Sequence, residues 1–274
     1  CGHLSAYGRT GPRAAWPGYD YLMQAEAGYL SVTGELDGPP ARFGLSIVDL
    51  MTGVTAMTSL LAGIIDARAN GKGRDIDVSL FDVALTNLNY VAAWYLNDGV
   101  QVKREPRSAH PSLTPSQLYR TQDGWLFVMC NKEKFWPLLT KAIGKPEWAT
   151  HPDYANYKAR LTNREQLTRE LDAVLGTATT VQWLERLSGI VPVAPVYDVA
   201  QALDSPFVRE QGCIMEAPHS ARGMIRTLAA PIHCPGETAK IGIAPTLGEH
   251  TRELLRGLGY DEDRINHLAE SGAL

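Results

Sequence analysis

A long uncharged run constrains the fold of this chain more than any other feature. Sixteen consecutive residues, Leu50 to Ile65, carry no charge, and Gly71-Lys72-Gly73 follows shortly after them. A Gly-x-Gly stop after an apolar run is typical of a helix C-terminus. The run is shorter than the roughly 20 residues that a membrane span needs, and Asp66 and Arg68 close it. We therefore predict a mostly buried core helix rather than a membrane span.

A single acidic residue, Asp49, lies in the first turn of this predicted helix, where unpaired N–H groups and the helix dipole favour its ionised form. Two interpretations are open. Ser46-Ile47-Val48-Asp49 fits the S-x-x-D capping box. Alternatively, Asp49 is a partly dehydrated nucleophile, and Gly53 one turn further on leaves room for a ligand. Local sequence alone favours the cap.

Composition narrows the class of protein. The chain has 274 residues, enough for one large or two ordinary domains, and its 45% hydrophobic and 20% charged content is ordinary for a soluble globular protein. A net charge of −4 without a basic run argues against a nucleic-acid partner. The four cysteines contain no C-x-x-C pair, which favours neither a zinc site nor a disulfide framework. We expect a reducing compartment, the cytoplasm.

The first part of the chain predicts alternating loops, helices and a strand. Gly2–Pro17 is rich in Gly and Pro and is expected to be a loop, and Gly18–Tyr29 has helical character. After the central helix, Arg74–Leu80 alternates polar and apolar residues as a strand does, and Phe81–Leu96 is predicted to be one helix. Gly99–Pro115 is expected to be a long polar loop.

The sequence pattern changes at Ser116. Two apolar segments flank Asp123-Gly124, a strong hairpin signal, and short helices and a Pro-punctuated extended segment follow. Further on come two short strand candidates and a helical tail. We predict a large domain at 1–115, a smaller α+β domain at 116–205, and a C-terminal segment at 206–274 that returns to the large domain.

Several runs in this chain also resemble those of a known family. They are SAYGRTGP (5–12), PGYDYLMQAEAGYLSVTGELDGPP (17–40), SIVDLMTGV (46–54), GKGRDIDVSLFD (71–82), SAHPSLTPSQLYRTQDGW (108–125) and LGEHTRELLRGLG (247–259). In this order they resemble the family III CoA-transferases, which include formyl-CoA:oxalate, carnitine and dicarboxylate CoA-transferases, with alpha-methylacyl-CoA racemase as a relative. The resemblance raises the nucleophile interpretation of Asp49 above the cap.

The resemblance implies an α/β fold with a Rossmann-like large domain, a smaller α+β domain and an interlocked homodimer, without a nucleic-acid or membrane partner. Members of the family are longer, with additional α/β structure before the first of these motifs. The chain begins at Cys1 without an initiator Met or a signal peptide. We therefore expect a truncated or cleaved protein, incomplete at the N-terminus of its large domain, and the absent part would carry contacts to the CoA nucleotide.

The resemblance also implies a set of site residues. Asp49 would be the catalytic residue and His110 would lie near the substrate. The residues expected to bind CoA are Tyr7, Gly8, Arg9, Tyr19 and Asp20. No metal and no permanently bound cofactor is expected, since coenzyme A and acyl-CoA are substrates.

The chemistry implied for Asp49 is covalent. Its carboxylate would attack an acyl-CoA, with succinyl-CoA or another small dicarboxylyl-CoA the expected donor, and pass through an aspartyl anhydride and an aspartyl-CoA thioester. Water would hydrolyse both intermediates, so a closed apolar surround is expected. Backbone N–H groups of a Gly-rich loop or of the helix start are the natural oxyanion donors.

Two other functions stay open. A 2-methylacyl-CoA racemase would pair the aspartate with a histidine, but Tyr19 stands at the matching place and is a poor base near neutral pH. An inactive truncated paralogue would bind CoA weakly or act as the partner of a full-length subunit. Tyr19 favours the transferase over the racemase.

Overall fold

The computed structural model describes residues 1–232, 234, 236 and 242–274, and it shows a mixed α/β protein. The chain divides into two compact units, Cys1–Val196 and Tyr197–Leu274. Seven residues of the predicted segment 206–274 lie outside the described residues. The domain boundaries after 115 and after 205 stay predictions.

The first unit contains most of the regular structure. Its strands are β1 (Gly2–Ser5), β2 (Ile76–Ser79), β3 (Ser116–Arg120), β4 (Trp125–Met129) and β5 (Val193–Pro195). Its helices are α1 (Asp20–Glu26), α2 (Tyr29–Val32), α3 (Ile47–Asn70), α4 (Leu80–Asn87), α5 (Tyr90–Asp98), α6 (Phe135–Ala142), α7 (Tyr157–Thr162), α8 (Arg164–Leu175) and α9 (Thr180–Leu187). Short 3-10 helices span Pro106–Ser108 and Pro146–Ala149.

The first residues of the chain form a strand rather than the loop that their composition predicts. β1 pairs in parallel with β2, in a register that joins Gly2 to Ile76 and Ser5 to Ser79. The predicted strand at 74–80 is confirmed as β2. Gly and Pro content reports only local preference, whereas this strand depends on a partner more than seventy residues away in the sequence. The prediction for residues 2–5 was therefore wrong.

The central helix ends where its sequence predicts. α3 runs from Ile47 to Asn70, and Gly71 closes it in the left-handed conformation with φ 66°, its N–H donating to the Ala67 carbonyl. This is the C-terminal arrangement that glycine favours. The helix packs on the strands: a Cβ at Gly2 would come within 2.7 Å of the Leu60 side chain. The predicted element and its stop signal are confirmed.

The prediction that α3 is mostly buried was wrong. Only Val48, Thr52 and Ala56 are buried. Its exposed large apolar side chains are Leu50, Val54, Met57, Leu60, Leu61, Ile64 and Ile65. By length and composition α3 could also cross a membrane, although one such helix is weak evidence for a span. An uncharged run indicates an apolar surround, but it does not specify which part of the molecule supplies that surround.

The segment predicted as one helix at 81–96 is two helices. α4 ends at Asn87, and α5 begins at Tyr90 after Asn89 adopts φ 51°. A positive φ is uncommon for a residue other than glycine, and asparagine is one of the residues in which it occurs most often. The apolar pattern runs through the break, so periodicity alone did not reveal it.

The second part of the first unit confirms the predicted hairpin. β3 and β4 pair antiparallel, with Ser116 opposite Met129 and Arg120 opposite Trp125, and β5 adds a third strand beside β4. The helices around this sheet complete an apolar core that includes Tyr119, Leu126, Trp136, Leu139, Leu167, Leu171, Trp183 and Leu187. A separate, smaller core joins Met23, Ala27, Val48 and Ala84.

The second unit confirms the predicted strands and helical tail. β6 (Ile214–His219) and β7 (Gly223–Leu228) form an antiparallel hairpin. Its helices are α10 (Val199–Leu203), α11 (Pro206–Glu210), α12 (Thr251–Gly257) and α13 (Glu262–Glu270).

Candidate active site

Asp49 lies in the first turn of α3 with an exposed side chain. Among the contacts of the described residues, its carboxylate accepts no hydrogen bond. Ser46 occupies the N-cap position of the helix, but its hydroxyl makes no capping hydrogen bond. The capping-box interpretation of Ser46 and Asp49 was therefore wrong, and the Asp49 carboxylate is left available for chemistry.

The cap of α3 comes from another helix. Asp20, only 4% exposed, accepts hydrogen bonds on Oδ2 from the backbone N–H groups of Val48 (2.7 Å) and Asp49 (3.0 Å). A carboxylate bound to two orphan N–H groups relieves the unpaired donors of a helix start, and hydrogen bonds to charged groups contribute about 1.5–3 kcal/mol each. Asp20 thus replaces the predicted local cap from 29 residues earlier in the chain.

The remaining N–H groups at the start of α3 are also occupied. Ile47 donates to the carbonyl of Leu45 at 2.9 Å, and Leu50 donates to the carbonyl of Ser46 at 3.1 Å. Leu50 makes the first bond within the helix, and three of the donors that a helix start normally leaves free, the N–H groups of Ile47, Val48 and Asp49, have partners within the protein. Of the two predicted sources of oxyanion donors, the helix start is therefore largely committed, and the Gly-rich loop is the better candidate.

Asp20 is held in turn by Gln24, a fully buried residue one turn along α1. Gln24 Nε2 donates to Asp20 Oδ1 at 2.5 Å and to the carbonyl of Leu45 at 3.2 Å, and Gln24 Oε1 accepts from the backbone N–H of Phe43 at 2.8 Å. Sequence reasoning missed Gln24. The available signal was an i, i+4 pair of polar residues, Asp20 and Gln24, with apolar or aromatic residues at the three positions between them.

The loop after β1 lies against the start of α1. Gly18 makes this approach possible, because a Cβ there would come within 2.4 Å of Ala6 Cβ and 2.5 Å of Met23 Cε. Tyr7 in the same loop donates to Glu26 Oε2 at 2.7 Å and packs its ring on Phe81. The structure therefore brings the loop that contains Tyr7 together with α1.

The other residues predicted to bind CoA lie in the same loop or at the start of α1. Gly8 has φ 97°, a conformation that favours glycine, and its N–H donates to Ser5 Oγ at 3.0 Å. Arg9 is exposed and pairs with Asp77 at 3.2 Å. Tyr19 is the N-cap residue of α1 and is 73% exposed. Asp20 has both oxygens engaged by the protein, so its predicted contact with CoA stays a prediction.

His110 lies near a different part of the first unit. Its ring stacks on Tyr90 with centroids 6.2 Å apart, and its Nδ1 accepts from the backbone N–H of Ser112 at 3.1 Å. Burial, together with the positive charge of Arg164, lowers the pKa of His110 below its ordinary value. The imidazole borders a cavity of about 410 Å³ that also contacts Lys103. No contact among the described residues joins His110 to Asp49.

The environment of Asp49 raises the pKa of its carboxyl group. Loss of solvent around the group is the larger cause, and the negative charge of Asp20 is the second. Both disfavour the ionised form. The residues that hold the start of α3 therefore also act on the protonation of the candidate nucleophile.

The described residues contain no group of three or more His, Cys, Asp or Glu side chains placed to hold a metal ion. All four cysteines are free thiols, and Cys130 is the buried one. The candidate nucleophile at the start of α3 is therefore the Asp49 carboxylate and not a thiolate.

Comparison with known proteins decides the family. The model of the family described as CoA-transferase family III matches residues 1–251. This chain belongs to CoA-transferase family III. The matched range contains Asp49, Asp20 and His110, so every residue predicted for the site lies within the family match.

Relatives within CoA-transferase family III are similar along nearly the whole chain. Succinyl-CoA:glutarate CoA-transferase of Mus musculus is 31% identical over 274 residues, which cover 99% of this chain and 63% of that protein. Succinyl-CoA:mesaconate CoA-transferase of Haloarcula hispanica is 30% identical over 268 residues, with 94% and 66% covered. This chain therefore spans a little under two thirds of the length of these relatives.

A solved structure shares the fold. The crystal structure of a CAIB/BAIF family protein from Brucella suis superposes with a TM-score of 0.79 at 29% identity, and covers 94% of this chain and 67% of that one. A similarity of this size places the described elements of this family III chain within a fold already observed experimentally.

Proposed function

We propose that this chain carries the catalytic part of a CoA-transferase in which Asp49 is the nucleophile. The observation that carries the proposal is the division of roles at the start of α3. Asp20 caps the helix, and the exposed Asp49 carboxylate is left without a structural partner among the described residues. A carboxylate at a helix start that is not needed for capping is available for attack on an electrophile.

The reaction divides into balanced exchanges. An oxygen of Asp49 attacks the thioester carbonyl of the donor; a C–O bond forms, the C–S bond breaks, and CoA leaves as a thiolate. The thiolate attacks the aspartyl carbonyl of the resulting anhydride, which forms the aspartyl-CoA thioester and releases the donor acid as its carboxylate. The acceptor carboxylate then runs both steps in reverse and leaves as acyl-CoA. Splitting one transfer into such exchanges is what covalent catalysis provides.

Each exchange forms an oxyanion that needs hydrogen-bond donors. Because the N–H groups of Ile47, Val48 and Asp49 already have partners, we assign this role to backbone N–H groups of the glycine-containing loop 5–12 other than that of Gly8, which donates to Ser5 Oγ. The same loop carries three of the residues proposed to bind CoA, Tyr7, Gly8 and Arg9, and Tyr19 lies beside it at the start of α1. Because both Asp20 oxygens are engaged within the protein, Asp20 is proposed to support CoA binding indirectly, through the residues that it holds in place. His110 is proposed to contact the substrate.

For the substrate we propose a small dicarboxylyl-CoA donor, with succinyl-CoA as the first to test, and a dicarboxylate acceptor. The support is that the mouse and Haloarcula hispanica relatives are named for succinyl-CoA with glutarate and with mesaconate. We also propose a Rossmann-like large domain, an interlocked homodimer and a cytoplasmic location. The apolar side chains exposed along α3 support burial in such an assembly.

The test is trapping of the covalent intermediate. The protein is incubated with succinyl-CoA, treated with hydroxylamine or borohydride, and analysed by intact-mass and peptide mass spectrometry. We expect a modification on the peptide that contains Asp49, and its loss in Asp49→Asn, with transfer lowered at least about a thousandfold. The matched control is Asp37→Asn, which changes an exposed carboxyl in a turn and should retain modification and transfer.

Substantial transfer in folded Asp49→Asn would refute the covalent role. Incorporation of solvent deuterium next to the thioester carbonyl of a 2-methylacyl-CoA would support the racemase instead. No modification and no turnover in an intact, folded protein would support the inactive paralogue.

A further inference from the structure

The residues that hold the start of α3 form a connected buried network. Asp20 receives the N–H groups of Val48 and Asp49 on one oxygen and the Gln24 amide on the other. Asp20 is 4% exposed and Gln24 is fully buried. Because both groups are shielded from water, neither can exchange these partners for solvent without a penalty. The network therefore has one well-defined arrangement.

The network also fixes the segment that leads into α3. The Gln24 side chain accepts a hydrogen bond from the N–H of Phe43 and donates one to the carbonyl of Leu45. One side chain therefore restrains the backbone of the loop before α3 at two residues. Asp20 accepts hydrogen bonds from the backbone N–H groups of Val48 and Asp49, in the first turn of α3. From residue 43 to residue 49 the backbone is thus tied to α1 at four places.

The hydrogen bond from the Asp49 N–H to Asp20 bears directly on how the candidate nucleophile is oriented. Ser46 provides no side-chain cap, so the local sequence does not orient the first turn by itself. The Asp49 carboxylate lacks a partner among the described residues, and its backbone is the part that the protein restrains. A nucleophile must be held close to its productive geometry, because misplacement by about 1 Å can cost about a hundredfold in rate.

We propose that Asp20, supported by Gln24, is a positioning residue of the transfer reaction that fixes the Asp49 backbone so that its carboxylate meets the thioester carbon. This inference rests on the proposed nucleophilic role of Asp49. It assigns to α1 a part in the chemical step that is separate from any contact with CoA.

The experiment compares Asp20→Ala, Asp20→Asn and Asn156→Ala. Asp20→Ala removes the acceptor of the Val48 and Asp49 N–H groups at the start of α3. Asp20→Asn keeps one oxygen for the N–H groups of Val48 and Asp49 but presents an amide to the Gln24 amide. Asn156→Ala is the matched control: it removes the cap of α7, where Asn156 Oδ1 accepts from Ala159 at 2.9 Å. For each variant we measure thermal unfolding, KM for succinyl-CoA, and the single-turnover rate of Asp49 modification.

We expect Asp20→Ala to lower the modification rate at least about tenfold, with KM for succinyl-CoA changed less than about threefold. Asp20→Asn should recover most of the rate, and Asn156→Ala should leave it unchanged at a similar loss of thermal stability. If Asp20→Ala does not fold, Asp20→Asn still carries the test, with a rate reduction of about two- to fivefold expected at unchanged KM.

A modification rate equal to that of the unaltered protein in folded Asp20→Ala, or in Asp20→Asn where the alanine variant does not fold, would overturn the positioning role. So would an equal rate loss in Asn156→Ala, because the effect would then follow stability alone. Failure of the proposed function is recognised separately, since Asp49→Asn would then retain transfer whatever the Asp20 variants do.

Discussion

Gly53 offers a substitution whose effects on stability and on function should have opposite signs. It lies in the interior of α3, four residues after Asp49, so the two residues share a helix face. Its position is exposed, and a Cβ added there would meet nothing within 4 Å. Glycine in a helix interior is less favourable than alanine by about 0.5–1 kcal/mol.

Gly53→Ala should therefore raise the free energy of unfolding by about 0.5–1 kcal/mol, because helix propensity improves without a steric penalty. In a chain of this size the midpoint of thermal unfolding should rise by about 1–4 °C. If acyl-CoA lies along the face that carries Asp49, the added methyl group occupies ligand space, and kcat/KM for succinyl-CoA should fall about tenfold or more.

The assay measures thermal unfolding and steady-state transfer on the same preparation. Gly63→Ala is the matched control on the same helix, where a Cβ would come within 2.7 Å of Ile76 Cδ1. That contact should offset the propensity gain, and kcat/KM should stay unchanged. A loss of stability in Gly53→Ala would show that its surroundings are not open, and a gain in stability with unchanged kinetics would refute ligand contact on this face.

Three further predictions concern the neighbourhood of the site and the core. Gly18→Ala should lower the free energy of unfolding by about 1–3 kcal/mol and reduce transfer, because a Cβ would lie 2.4 Å from a side-chain carbon of the adjoining loop; unchanged thermal unfolding would contradict this. Because burial and then the charge of Asp20 raise the pKa of Asp49, and because the ionised form attacks, the modification rate should fall with decreasing pH at a higher pH than for an ordinary aspartate. Asp20→Asn should move that fall to lower pH, and a pH profile with no shift would contradict the assignment. Arg160→Met should lower the free energy of unfolding by about 2–4 kcal/mol, because the buried backbone carbonyls of Thr114 and Tyr154 lose their donor. Arg209→Met is the control: Arg209 forms an exposed ion pair at 3.9 Å, and its replacement should change the free energy of unfolding by under about 0.5 kcal/mol. Denaturant titration measures both variants.

Elements whose signals are local were predicted well from the sequence. The hairpin around Asp123-Gly124 and the stop of α3 at Gly71 depend on residues that are neighbours in the chain, and both are confirmed. The break at Asn89 was missed because the apolar pattern continues through it. The strand Gly2–Ser5 was missed because it depends on a partner strand that is distant in the sequence.

The candidate site divides in the same way. The sequence predicted that Asp49 lies in the first turn of a helix, and the structure confirms this position. The motifs of the chain and the family model that matches residues 1–251 indicate the same family. The local capping box at Ser46 was a reasonable prediction from spacing, but the structure uses Asp20 instead. Gln24, which holds Asp20, was not predicted at all.

The sequence by itself thus determined the central helix, its boundaries, the hairpin and the family, because helix stops, turn residues and motif order are properties of adjacent residues. Only the tertiary structure decided which carboxylate caps α3 and which one is left free. In the predicted capping box the Ser46 hydroxyl would accept from the Asp49 N–H, but in the structure Asp20, 29 residues before Asp49, accepts from it instead. Asp20 prevails because α1 packs its buried side chain against the helix start, where a shielded carboxylate must find donors.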